Sequence, residues 1–171
     1  MKSRFLNFFL ILFFATIVNA TAEKIIIVDI NSLIANSKAG QSIKSKLKEE
    51  KDSLVKQFKK KEEDLKKQEQ KLISQKNVLS EEEFRIKAKT LNEKINLYKK
   101  EKKTKLDEVA KNRNKRVSIL LEAINELLID YSTKNSITLV VDKKYTIISK
   151  NEIDLTNVIL DSLNEKIKKI N

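Results

Sequence analysis

Lysine is the one residue type this chain holds in the number and density to do chemistry. Lys59-Lys60-Lys61, Lys66-Lys67, Lys99-Lys100 and Lys102-Lys103 are the densest groups in a chain with 36 Lys and Arg against 24 Asp and Glu. Exposed ammonium groups attract anions over long distances, and their aliphatic stems add weak apolar contact. That is the chemistry of binding. The chemistry of bond making lacks its usual agents. There is no histidine and no cysteine, which removes the commonest general base, the thiol nucleophile and the usual zinc ligands. Gly40 is the only glycine, so no glycine-rich loop can cradle a phosphate. Asp29, Asp142 and Asp154 are the carboxylates that could tempt a reader toward a site, yet each has a structural use. Asp29 follows an apolar run and is expected to anchor the next turn, Asp142 sits at a turn, and Asp154 at a helix cap. No enzyme activity, metal or cofactor is expected.

The charge is segregated. Of the net +12, residues 44–116 hold 25 basic and 14 acidic groups, a net of +11. Residues 23–40 balance, and residues 117–171 carry 7 basic and 8 acidic groups. A field confined to one region draws anionic partners and is sensitive to salt. For any single lysine, a solvated helix face is the simpler reading. Glu62 and Glu63 stand four residues before Lys66 and Lys67, the spacing of pairs worth about 0.2–0.5 kcal/mol each. The summed excess goes beyond what balanced pairing needs and marks a binding surface. The residues expected to form it are Lys59, Lys60, Lys66, Lys67, Lys71, Lys76, Arg85, Lys87, Lys99 and Lys103.

Helices must position these lysines, because Ile43 to Tyr131 contains neither glycine nor proline. One seam reads Lys51, Phe58, Leu65, Leu72, Leu79, and the other reads Leu47, Leu54, Lys61, Gln68, Gln75. This is the heptad spacing of a coiled coil with a half-polar seam. Ser80-Glu81-Glu82-Glu83 is a capping box that starts a second helix, so a turn is expected near residues 77–80. The second stripe is Phe84, Ala88, Leu91, Ile95, Tyr98. It is irregular from Lys102 to Arg116 and resumes at Leu120, Ile124, Leu127 and Tyr131. The two helices should fold back as an antiparallel hairpin whose first arm is roughly 50 Å long. The polar positions Lys61, Gln68 and Gln75 either form the hairpin's solvent edge or keep the arm soft enough to spread.

Around the hairpin lies a small body. Ile25-Ile26-Ile27-Val28 reads as a strand buried on both faces. Asn31-Ser32 is expected to cap a short helical turn, and Gly40 to break the chain before the long helix. Ile137–Asp142 and Tyr145–Ile148 read as two further strands joined through Asp142-Lys143-Lys144. Leu155, Val158, Ile159, Leu163, Ile167 and Ile170 form the apolar face of a last helix capped from Asp154. At the amino terminus, Lys2 and Arg4 precede the apolar run Phe8–Ala15, and small residues follow at Ala20 and Ala22. This is the pattern of a cleaved signal peptide, shorter than the ~20 residues a spanning helix needs. The expected organisation is residues 1–22 signal peptide, 23–42 body, 43–116 hairpin arm, and 117–171 body. An exported chain without cysteine cannot use disulfides, and a body of about eighty residues is marginal alone, so association with further copies is expected.

Three body segments resemble the Skp/OmpH family of periplasmic chaperones. They are the strand into Val28-Asp29 followed by Leu33, Ser37 and Gly40; Asn135-Ser136-Ile137-Thr138-Leu139-Val140-Val141-Asp142; and Asp154-Leu155-Thr156-Asn157-Val158-Ile159. Their order and spacing match, with the charged hairpin between the first two. The chain departs at Ile147-Ile148, where the family would have an aromatic residue; either Tyr145 serves instead or the local packing differs. The resemblance implies an α+β, mostly α fold in a jellyfish-like homotrimer, with helical arms on a β-strand oligomerisation body to which Ile25, Ile27, Leu139, Val141 and Ile147 would contribute. It implies an ATP-independent holdase in the periplasm of a Gram-negative bacterium, with unfolded outer-membrane β-barrel proteins as clients and contacts to lipopolysaccharide or anionic phospholipid.

Two other classes compete. An envelope coiled coil that binds anionic lipid would not need an oligomer. A nucleic-acid-binding protein fits the charge but not the leader, nor the arms, where aromatic and basic residues barely alternate. No specific nucleic-acid partner is expected.

Overall fold

The computed structural model describes residues 23–170. The expected signal peptide lies outside them. Strand β1 (Ile25–Val28) leads into helix α1 (Ile30–Asn36), then α2 (Lys38–Ser74) and α3 (Glu81–Lys134). Strand β2 (Leu139–Asp142) follows, with 3₁₀ turns at Lys143–Tyr145 and Asn151–Ile153, and helix α4 (Thr156–Lys166). β1 and β2 pair in parallel, with Ile25 opposite Leu139 and Val28 opposite Asp142. Parallel neighbours need a crossover connection. Here the crossover is the whole hairpin, so the arm projects from a two-stranded sheet.

The local causes are legible. Asp29 caps α1, its carboxylate accepting from the Ser32 amide at 2.8 Å. Asp29 thus takes the capping role expected of Asn31-Ser32. Ser37 is fully buried and caps α2, its hydroxyl accepting from the Gly40 amide at 3.0 Å. Gly40 therefore sits inside the first turn of α2 rather than breaking the chain before it. A Cβ there would lie 1.7 Å from the Ile34 carbonyl oxygen. Glycine is what lets α1 cross so close to α2. At the other end, Ser136 has a φ of 53° and terminates α3, while the Ile137 amide reaches back to the Ser132 carbonyl at 2.9 Å.

Ile26, Val28, Leu33, Ile43, Leu120, Ile124, Ile159 and Leu163 form one core beneath the hairpin base. The β1 run is buried at three of its four residues, as a two-faced strand should be, with only Ile25 exposed. Val158, expected inside, is 44% exposed, and α4 instead buries Thr156, Ile159 and Leu163. Those three share the helix stripe that faces β1 and α3.

One expected strand is absent among the described residues. After β2 the Asp142 carboxylate accepts from the Lys144 amide at 3.2 Å, and the chain tightens into a 3₁₀ turn. Thr146 to Lys150 then runs outside the sheet, leaving Ile147 99% and Ile148 91% exposed. β1 fills its second edge differently, through a bridge from Ile27 to Asp154 and a hydrogen bond from the Leu155 amide to the Ile27 carbonyl at 2.9 Å.

Candidate functional site

The hairpin is built as its sequence pattern directs. α2 ends at Ser74, and Ser80 starts α3 with both halves of the capping box formed. Phe58, Leu65, Leu72 and Leu79 face Phe84, Ala88, Leu91, Ile95 and Tyr98, but only Phe58 is buried and the rest are half-buried. Two isolated helices cover only one side of each other, so a seam of this kind stays partly wet. At 1.5 Å per residue, the 37 residues of α2 extend about 55 Å.

Polar groups finish the seam. Phe58 meets Tyr98 edge to face, with ring centroids 6.1 Å apart, and the Lys102 ammonium lies 5.7 Å from one ring and 5.8 Å from the other. Glu62 accepts from the Tyr98 hydroxyl and, at 2.7 Å, from Lys102. Lys102, then Tyr98, hold the Glu62 carboxyl below the usual carboxylate range. Burial, and then Glu62, push the Tyr98 phenol up. The polar positions Lys61 and Gln68 also reach across, Lys61 donating to Glu101 at 2.6 Å and Gln68 accepting from Lys94 at 3.1 Å.

Toward the body, the stripe read as irregular continues through Lys102, Val109 and Arg116, seven residues apart. Arg116 is buried and grips Glu50 through both nitrogens, at 2.7 and 3.3 Å. That bidentate contact lowers the Glu50 carboxyl. Neither polar node is apparent from the sequence reading, which takes the second stripe as irregular from Lys102 to Arg116. The seven-residue spacing of Lys102, Val109 and Arg116 was the available signal.

All ten basic residues singled out from the sequence are exposed. Arg85 pairs with Glu82, and the other nine have no ion-pair partner among the described residues. The expected Glu62–Lys66 and Glu63–Lys67 pairs do not form; Glu62 turns inward to Lys102 of α3 instead. Of the 25 basic groups in residues 44–116, only Lys61, Arg85, Lys102, Lys105 and Arg116 have an ion-pair partner among the described residues. The ten do not share one face. Lys59, Lys60, Lys66 and Lys67 lie on the side of α2 away from the seam, while Lys71 and Lys87 line a cleft with Lys94.

In the body, Ile25 and Leu139 are register partners at 42% and 50% exposure, while Ile27 is buried within its own chain and Val141 is half-buried. The three aspartates have structural partners. Asp29 caps α1, Asp142 caps a 3₁₀ turn, and Asp154 accepts from Lys143, from the Thr156 amide and from the Thr156 hydroxyl. No helix among the described residues is long and apolar enough to cross a membrane.

Fold and surface together define a small α+β body carrying a long cationic helical hairpin, the form of a binding module with its surface on an extended arm. The chain belongs to the OmpH-like outer membrane protein family, whose sequence pattern matches residues 24–163. The crystal structure of a Caulobacter crescentus protein, described as OmpH-like and as a candidate outer membrane chaperone, is similar with a TM-score of 0.82. It shares 16% sequence identity over 88% of this chain and 89% of that one, a likeness of fold. Among curated proteins, none matches the chain.

Proposed function

We propose that this protein is an ATP-independent holdase chaperone of the periplasm, binding unfolded outer-membrane β-barrel proteins between its basic arms. The observation that carries the reading is the excess of arm lysines that have no ion-pair partner among the described residues. A helix stabilised by its own ion pairs would spend those charges internally; this one presents them to solvent. Lysines supply long-range attraction, and the half-buried seam supplies weak apolar contact, so a bound chain is held without being fixed. Several arms on one client would add avidity.

Three copies would form the working unit. The exposed apolar groups of the body, Ile25, Leu139, Ile147 and Ile148, support association, because isolated folded domains rarely leave such groups together in water. The extended Thr146–Lys150 segment would then find its strand partner in another copy. Export by a cleaved signal peptide, and contacts of the arms with lipopolysaccharide or anionic phospholipid, belong to the same reading.

The test is dilution of an unfolded outer-membrane barrel protein from denaturant into buffer containing this protein, following light scattering and complex mass. Suppression of scattering without ATP, in a complex of three copies per client that weakens with added salt, is expected. A folded, trimeric preparation that leaves aggregation unchanged would overturn the proposal.

A further inference from the structure

Along one side of the seam, two clefts of about 250 and 280 Å³ adjoin and share Gln68 and Lys94 in their lining. The floor is apolar, made by Leu65, Leu72, Leu91 and Leu97, and Leu97 is 67% exposed, uncovered by any of the described residues. Around the end nearer the turn stand Lys71, Lys87 and Lys94, with no acidic residue in that lining. At the end nearer the body, Glu101 neutralises Lys61 at 2.6 Å and Asp64 adds negative charge. The cleft is therefore electrically polarised along its length. The Lys94–Gln68 bond is the one structural contact these groups make across the cleft; leucine at Gln68, Gln75 and Thr90 would close the seam more tightly, and three ammonium groups around one floor repel one another.

We infer that this cleft is the seat of an extended client segment that alternates apolar and acidic residues; the inference rests on the holdase reading and names the part of the arm that does the holding. The span from Lys61 to Gln75 is about 21 Å at 1.5 Å per residue, the length of roughly six residues of extended chain. In an extended segment, alternate side chains point to opposite sides, so apolar ones meet the leucine floor while acidic ones meet the lysines. The amides of Gln68 and Gln75 and the hydroxyl of Thr90 suit main-chain N–H and C=O groups. An acyl chain could use none of them, which favours peptide over lipid. Transmembrane barrel strands carry this two-residue alternation.

The experiment compares two triple variants of equal charge loss: Lys71→Gln with Lys87→Gln and Lys94→Gln, and Lys59→Gln with Lys66→Gln and Lys103→Gln. All six side chains are exposed, and circular dichroism checks that helicity is kept. The probes are a fluorescent octapeptide of alternating Val and Glu, the same residues in two blocks, and vesicles containing phosphatidylglycerol. The cleft triple should weaken binding of the alternating peptide tenfold or more, the outer triple less than threefold, and the block peptide should bind more weakly to the unaltered protein. Equal loss in both triples would reduce the effect to net charge and overturn the inference. So would equal binding of the block peptide, or a cleft triple that loses vesicles and keeps peptide. The aggregation assay separates this from the broader reading. If the unaltered protein and the cleft triple suppress aggregation equally, the cleft is wrong and the holdase stands. If the unaltered protein fails to suppress, the holdase falls and the peptide titration still judges the cleft.

Discussion

Asp154 should set the acid limit of the body. Its carboxylate accepts from the Lys143 ammonium at 2.7 Å, from the Thr156 amide at 3.0 Å and from the Thr156 hydroxyl at 2.6 Å. The same Thr156 hydroxyl accepts from the Asp29 amide at 2.9 Å, and Asp154 bridges to Ile27. One carboxylate thus joins β1, the turn after β2 and the start of α4. Lys143, and then Thr156, hold Asp154 at about 2 instead of 3.8. A depressed carboxyl stabilises the fold fully above its unfolded value and ceases to do so as pH falls through its folded value. The shift corresponds to about 2 kcal/mol near neutral pH, and the side chain is 20% exposed, so solvent screens it only modestly. Asp154→Asn should therefore lower the melting temperature at neutral pH by roughly 4–8 °C for a chain of this size. As pH falls from about 4 toward 2, the unaltered protein should lose its advantage and the two melting curves converge. The assay is thermal unfolding by circular dichroism across that range at one fixed protein concentration. A gap that is the same at both ends of the range would mean that Asp154 acts through shape alone, and no gap at neutral pH would mean that the junction carries no stability.

Three further substitutions test the local accounts. Gly40→Ala places a methyl 1.7 Å from a backbone oxygen, so it should destabilise by about 1–3 kcal/mol in denaturant titration despite alanine's better helix propensity. Arg116→Met strands the Glu50 carboxylate at the arm base and should cost about 1–3 kcal/mol, while adding Glu50→Leu should recover most of it; a double variant no better than the single would refute the pairing as the cause. Ser136→Gly removes a left-handed strain at the end of α3 and should raise stability by about 1 kcal/mol, read as a higher denaturation midpoint.

The long helices, the turn near residues 77–80 and the capping box were legible because their signals are local: heptad spacing, and a serine three residues before a glutamate. Asp29 and Asp142 were legible as cap and turn residues for the same reason, whereas Asp154, expected to cap α4, stands one residue before the cap position held by Leu155 and binds the Thr156 amide and hydroxyl instead. The third strand was misread because Tyr145-Thr146-Ile147-Ile148 has strand composition, and composition does not say where a pairing edge lies. β1 closes its second edge with residues 154–155, and residues 146–150 pair with no strand among the described residues. Gly40 was misread as a break because its reason is a neighbouring helix's carbonyl, a non-local contact. The basic surface was visible as a sum, but its division into faces was not, since that depends on which side of α2 meets α3.

The polar half of the seam is where sequence and structure bear most on function. Leucines at Lys61, Gln68 and Gln75 would have made a tight two-helix arm of ordinary coiled-coil stability. Instead Lys61 and Gln68 make single cross-helix bonds on an exposed surface, where each contributes little. Between the Phe58–Tyr98 node and the turn, no residue of either helix is buried. Regions with few buried contacts open at low free energy, so the distal arm should exchange its amides before the base clamped by Glu50 and Arg116. Under the proposed holdase function, an arm that is firm at its root and loose toward its end would spread around clients of different size without unfolding the body that anchors it.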